Sequence, residues 1–138
     1  MKKLLCVFFV LLANLTHGAE YPSMTGQWIG TIRIVSTGEQ VRAQVARGGA
    51  LIQEQEIRMD VSYQDREVFI GETTSNLPDA TPISIWGAIR STGKEGVFVT
   101  ANGGRGNIWF TAPGAMEFCF ANQTQEQMSA YCGILRKQ

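Results

Sequence analysis

Between residues 57 and 63 the chain alternates strictly: Ile57, Met59, Val61 and Tyr63 are apolar, while Arg58, Asp60 and Ser62 are polar. A period of two puts one set of side chains on each face of an extended strand and is incompatible with a helix. The same texture recurs along the chain in short pieces. Trp28 to Val35 is rich in β-branched residues and closes at Thr37-Gly38. Gln40 to Arg47 alternates loosely, and Gly48-Gly49 ends it. Val68-Phe69-Ile70 returns from a turn at Gln64-Asp65. Ile83, Ile85, Gly87 and Ile89 then alternate with Ser84, Trp86, Ala88 and Arg90. Val97 to Thr100, Ile108 to Thr111, Met116 to Ala121 and Met128 to Leu135 complete the set. These nine candidate strands are spaced near ten residues and separated by turn residues. Such spacing predicts an all-β, mostly antiparallel sandwich or barrel. Ala50 to Glu56 is built of good helix formers and is compatible with a helical turn before the strand. Gly71 to Pro82, the longest polar stretch, predicts a loop of about ten residues, above the usual median of about 4–6. The fifteen glycines, with only four prolines and no Gly-X-Y period, point to many tight turns.

The first nineteen residues belong to another category. Lys2 and Lys3 precede an apolar run from Leu4 to Ala13, and Thr16-His17-Gly18-Ala19 follows with small residues. This is the build of a secretory signal peptide, and the run is too short for a membrane span, which needs about 20 residues. Cleavage is expected after Ala19, with Gly18 the alternative. Cys6 lies inside the apolar run without the setting of a lipoprotein acylation site. The expected organisation is therefore a signal peptide over 1–19 and one domain over 20–138. The mature protein would be periplasmic or secreted, of bacterial type, with no transmembrane span.

Removal of that segment narrows the chemistry. Loss of Lys2 and Lys3 leaves ten basic residues, eight of them Arg, against twelve acidic ones, a net charge of −2. That balance argues against a nucleic-acid partner, which is held by neutralising phosphates. The single histidine, His17, leaves with the signal. A chain without histidine has no Ser-His-Asp triad, no Cys-His pair and no His-ligated zinc. No catalytic residue, metal ligand set or cofactor is assigned.

Cys119 and Cys132 remain, and an even pair in an oxidising compartment predicts a disulfide. If they face each other, positions summing to 251 are opposed: Phe118 with Gly133, and Phe120 with Tyr131. Met116, Phe118, Phe120, Tyr131 and Leu135 then share a core face, and the cystine lies on the other, beside Glu117 and Ile134.

Two spots carry a family resemblance. Gly26-Gln27-Trp28 opens the first strand, and Tyr131-Cys132-Gly133-Ile134-Leu135-Arg136 closes the last. This resembles the calycin superfamily of up-and-down barrels, which includes lipocalins, fatty-acid-binding proteins and, more loosely, avidins. The resemblance implies an up-and-down barrel of about eight or nine short strands. It also implies that Trp28 packs at the closed end, with Arg136 as the cation covering its indole.

Trp86 and Trp109 are the candidate ligand-binding rings. Trp86 shares a face with Ala88 and Arg90, opposite Ile83, Ile85 and Ile89. If the isoleucines point inward, Trp86 faces out and suits a partner contact. If Trp86 points inward, it lines a cavity. Asn102 to Asn107 is Gly-rich but lacks a Gly-Lys-Ser/Thr ending, so a hairpin turn is expected there. Glu54, Glu56, Asp60 and Glu67 are interspersed with Arg58 and Arg66, as on a solvated strand face. The leading functional expectation is an exported non-catalytic protein holding a small apolar or amphipathic ligand in its barrel. The alternative is a protein-binding module, such as an inhibitor or an envelope assembly factor, using the Glu72–Thr81 stretch and the Arg-bearing turns.

Overall fold

The computed structural model describes residues 20–38, 50–124 and 127–138. Eight strands follow one another in chain order: β1 (Gly26–Gly38), β2 (Ala50–Asp65), β3 (Val68–Ser75), β4 (Ile83–Ile89), β5 (Glu95–Thr100), β6 (Arg105–Ala112), β7 (Ala115–Gln123) and β8 (Gln127–Lys137). Each pairs with its sequence neighbours, and β8 pairs antiparallel with β1, so the sheet closes into an up-and-down barrel. Closure leaves no edge strand with unpaired backbone groups. The signal peptide expected over 1–19 and the strand candidate at 40–47 lie outside the described residues.

The alternating pattern sets the inside. Trp28, Ile32, Ile57, Met59, Val61, Phe69, Ile85, Ile89, Phe98, Ile108, Met116, Phe118 and Leu135 are all buried. Ala50 to Glu56 is strand throughout, because its residues pair with β1 from Thr37 back to Thr31. Tertiary pairing overrides helix propensity there. Strand β3 runs on to Ser75, so the predicted long loop shrinks to residues 76–82. The β2–β3 turn falls at Arg66-Glu67, two residues later than expected, with Arg66 at φ 52°. An extra residue, Ser62, lies between the Val61–Gly71 and Tyr63–Ile70 pairs, and that bulge moves the register.

The last hairpin has the expected register throughout: Cys119 pairs with Cys132, Phe118 with Gly133 and Phe120 with Tyr131. The Cys119–Cys132 disulfide is formed on the outer face.

Many glycines sit in strands rather than turns, and the reason is aromatic packing. A Cβ on Gly87 would stand 2.0 Å from Phe69 Cζ, and one on Gly106 would stand 2.2 Å from Phe98 Cε1. Each ring fills the space that a neighbouring strand leaves bare. Side chains occupy the lumen at this level.

One end of the barrel is sealed by residues 20–25. Met24 is fully buried; its N–H donates to Gln64 Oε1 at 2.6 Å, and its carbonyl accepts from Trp28 Nε1 at 2.7 Å. The cation over the Trp28 indole is Lys137, with Nζ 5.6 Å from the ring centroid. This corrects the assignment to Arg136. Strand alternation sends Leu135 inward and exposed Arg136 outward, while Lys137 swings under the barrel and donates to Ser23 O at 3.1 Å.

Candidate functional site

At the opposite end the described residues leave a recess. It is ringed by the 76–82 connection, the β5–β6 turn and the ends of β7 and β8. Below the rim lies a cup of about 400 Å³. Its apolar lining includes Ile34, Ile57, Ile83, Phe120 and Tyr131, with Leu77, Pro78 and Ala80 from the 76–82 connection. Phe120 and Tyr131 have ring centroids 5.1 Å apart, and Phe98 stacks beneath Phe120 at 5.9 Å with an interplanar angle of 12°. These spacings are within the favourable range for aromatic pairs, so the rings hold one another in place. They form the floor.

Among the described lining residues the rim is polar and carries one charge. Gln55, Thr73, Ser75, Thr100, Asn122 and Ser129 contribute amides and hydroxyls, and Asp79 is the sole carboxylate among the lining residues. Alternation explains how they arrive: each continues the inward parity of a strand beyond its last large apolar residue, as Asn122 follows Phe118 and Phe120 on β7. Several are locked. Thr100 Oγ1 and Asn102 Oδ1 are 2.6 Å apart, and Gln55 Nε2 donates to Gln53 Oε1 at 3.2 Å. The 76–82 connection is pinned to β2 where Glu56 N–H donates to Asn76 Oδ1 and Asn76 N–H to Glu56 O, both at 3.1 Å. Asn122 Oδ1 differs: it is buried and accepts no hydrogen bond. Tyr131 is neutral here, because burial pushes its phenol up to about 12.

The rings offered by the sequence for a ligand are elsewhere. Trp86 and Trp109 stand on the outer face, 45% and 38% exposed, and neither lines the cup. The inward positions on β4 go to Ile83, Ile85 and Ile89, with Gly87 among them making room for Phe69, so the parity of Trp86 points it to solvent. There it joins an apolar patch by register: Ile70, Trp86 and Val99 lie side by side, next to Val68, Ala88 and Val97. The acidic residues of β2 and β3 also face outward. Arg58 pairs with Asp60 at 3.0 Å, and Arg66 with Glu67 at 3.8 Å. The Gly-rich segment is the expected hairpin turn, with Gly103 at φ 87° and its N–H donating to Thr100 O at 2.9 Å.

Among the described residues, no group of three or more His, Cys, Asp or Glu is placed to hold a metal ion. No helix among them is long and apolar enough to cross a membrane. No protein-family description matches the chain, and a search of curated proteins finds no relative. Solved structures do match in fold. EF1p2_mFAP2b bound to DFHBI is 13% identical, with a TM-score of 0.51 over 83% of this chain and 94% of that one. The S-type phycobiliprotein lyase CPES from Guillardia theta is 12% identical, with a TM-score of 0.50 over 83% and 88%. A de novo designed fluorescence-activating β-barrel is 16% identical, with a TM-score of 0.45 over 88% and 97%. At such identities the likeness is one of fold alone, a small closed antiparallel barrel.

Proposed function

We propose that this chain is an exported, non-catalytic binding protein that holds a small apolar or amphipathic ligand in the open mouth of its barrel. The observation that carries the reading is the cup itself: about 400 Å³, floored by aromatic and aliphatic side chains and edged by amides and hydroxyls. That is the usual build of a small-molecule site, apolar with a few placed polar groups. Buried side chains such as Phe69, Phe98 and Phe118 occupy the barrel below, which supports the mouth as the place for a ligand. A similar fold bound to DFHBI supports the reading by analogy. The leader over 1–19 and the Cys119–Cys132 disulfide support export.

The test is titration with Nile red, a neutral dye whose emission brightens in apolar sites. One dye per chain is expected, and Ile83→Trp, which fills the mouth, should abolish binding in a protein with an unchanged far-UV spectrum. Saturable binding indifferent to that substitution would remove the cup from the account. Amino-terminal sequencing of protein recovered from outside the cytoplasm should begin at Glu20 or Ala19.

A second reading, a protein contact, is favoured by the outer patch around Trp86, which is exposed where a barrel wall is ordinarily polar. Retention of a specific partner by the wild type, and its loss in Trp86→Ser, would support it.

A further inference from the structure

The outer wall of the barrel carries an apolar strip that takes no part in the cup. Val68 and Ile70 on β3, Trp86 on β4, and Val97 and Val99 on β5 are each 42–48% exposed. Pairing sets them in two rows: Ile70, Trp86 and Val99 in one, and Val68, Ala88 and Val97 in the next. Phe69, Ile85 and Phe98 take the inward positions of the same strands, so alternation holds the strip to solvent. With roughly 200 Å² as the full area of a large side chain, the strip offers on the order of 400–500 Å². A stable interface buries about 800 Å² on each partner, so the strip can be the centre of a contact and needs a polar border to complete it.

The border indicates the occupant. Glu72 flanks the strip on β3, two residues beyond Ile70, and Arg105 flanks it on β6, directly opposite Val99. Both are exposed. A twofold contact between copies of one chain requires a patch that complements itself. An axis lying along the strands between β4 and β5 sets each β4 against β5 of the second copy, and each β3 against β6. Trp86 then meets Val99, Ala88 meets Val97, and Glu72 comes beside Arg105. The apolar strip covers itself, and acid meets base on both flanks. An anionic lipid surface has no such match, because its headgroups would face Glu72.

Resting on the protein-contact reading of this patch, we propose that its partner is a second copy of the same chain. In that dimer Trp86 of each copy packs on Val99 of the other, and Glu72 pairs with Arg105. The modest area sets the dissociation constant on the order of 10–100 μM.

Sedimentation equilibrium of the processed chain, from about 5 to 500 μM with the disulfide intact, reads this association. Trp86→Ser should weaken it at least about tenfold. Glu72→Arg and Arg105→Glu should each weaken it about five- to tenfold, because each reversal creates two repulsive pairs in one dimer. An equimolar mixture of those two variants should associate about as tightly as the wild type, since each supplies the charge that the other now lacks. Far-UV circular dichroism confirms that all three variants fold. A chain that stays monomeric at about 500 μM, a dimer indifferent to Trp86→Ser, or charge variants that do not associate when mixed would each overturn the proposal. So would a monomer that floats with phosphatidylcholine vesicles through Trp86, which would give the strip to a lipid surface. A monomer that retains a different protein through Trp86 would overturn the second copy and leave the protein-contact reading standing; a monomer that retains none would remove both.

Discussion

Replacing Gly87 by alanine sets two physical effects against each other, and the structure decides the sign. By backbone entropy alone, alanine in a strand should be better than glycine by about 0.5–1 kcal/mol. The new Cβ, however, would lie 2.0, 2.4 and 2.7 Å from Phe69 Cζ, Cε1 and Cε2. Carbon atoms rest at about 3.5–4.0 Å, so the ring must retreat by roughly 1.5 Å. Phe69 is 1% exposed and belongs to the same buried cluster as Met59, Ile85 and Ile89, so it has nowhere to go without displacing them. Overpacking of this kind costs about 1–3 kcal/mol, which exceeds the entropic gain. Urea unfolding with the disulfide intact should therefore show Gly87→Ala unfolding at about 1 M lower urea with an unchanged slope. Phe69→Leu alone should also destabilise, by leaving a void. The double variant should be more stable than the two losses added together, by at least about 1 kcal/mol, because the smaller side chain makes room for the methyl group. Additive losses, or a neutral Gly87→Ala, would refute the claim that this glycine exists to receive the ring.

Three further outcomes follow from the same structure. Lys137→Ala should lower stability by about 1 kcal/mol through loss of the cation over Trp28 and its bonds to Ser23, whereas Arg136→Ala, exposed on the outer face, should stay within about 0.5 kcal/mol in the same urea assay. Burial raises the Tyr131 phenol from 10.0 to about 12, so its contribution is intact below pH 10 and is lost as the unfolded chain ionises first. Between about pH 9 and 12 the wild type should lose up to about 2–3 kcal/mol more than Tyr131→Phe, read from unfolding midpoints across that range. Replacing both Cys119 and Cys132 by alanine opens a loop with a sequence separation of 13, which should cost about 3 kcal/mol and lower the melting temperature by about 10 °C. The far-UV spectrum should be retained, because Phe118, Phe120, Tyr131 and Leu135 hold the register without the bridge.

Much of the architecture is legible in residue order. Alternation separates the two faces from Ile57 to Val61 and from Ile83 to Ile89, and for the second strand it leaves open which face is buried until the barrel puts the isoleucines inside. The register of the last hairpin follows from Cys119 and Cys132 together with the aromatic pattern beside them, two independent constraints that agree. Propensity misleads where long-range pairing outweighs it. Ala50 to Glu56 reads as helix-forming, yet β1 supplies hydrogen-bond partners along its length and makes it strand. Glycine carries a second meaning that local order does not show: Gly87 reads as one position of an alternating strand and Gly106 as part of a turn, and in the barrel they are sockets for Phe69 and Phe98.

The candidate site was the harder part. Tryptophans draw the eye toward ligands, but Trp86 and Trp109 fall on the outer parity of their strands, while the cup is built from modest residues such as Thr100, Ser129 and Asn122. Extending the inward parity of β7 from Phe118 and Phe120 to Asn122 would have found one of them. That β2, β3, β5, β7 and β8 bring such polar residues to one rim is a property of closure, which depends on pairing β8 with β1 across nearly the whole length of the domain. The choice of Lys137 over Arg136 combines both levels: alternation from Leu135 turns Arg136 outward, and the position of Trp28 at the closed end lets Lys137 reach its ring. Local order alone determined most of the strand content, the alternation of faces and the last hairpin, because these depend on neighbours within a few residues. The open mouth, the unpaired Asn122 oxygen and the sealed end arise only when distant strands meet, because a cavity is a relation among surfaces that no single segment contains.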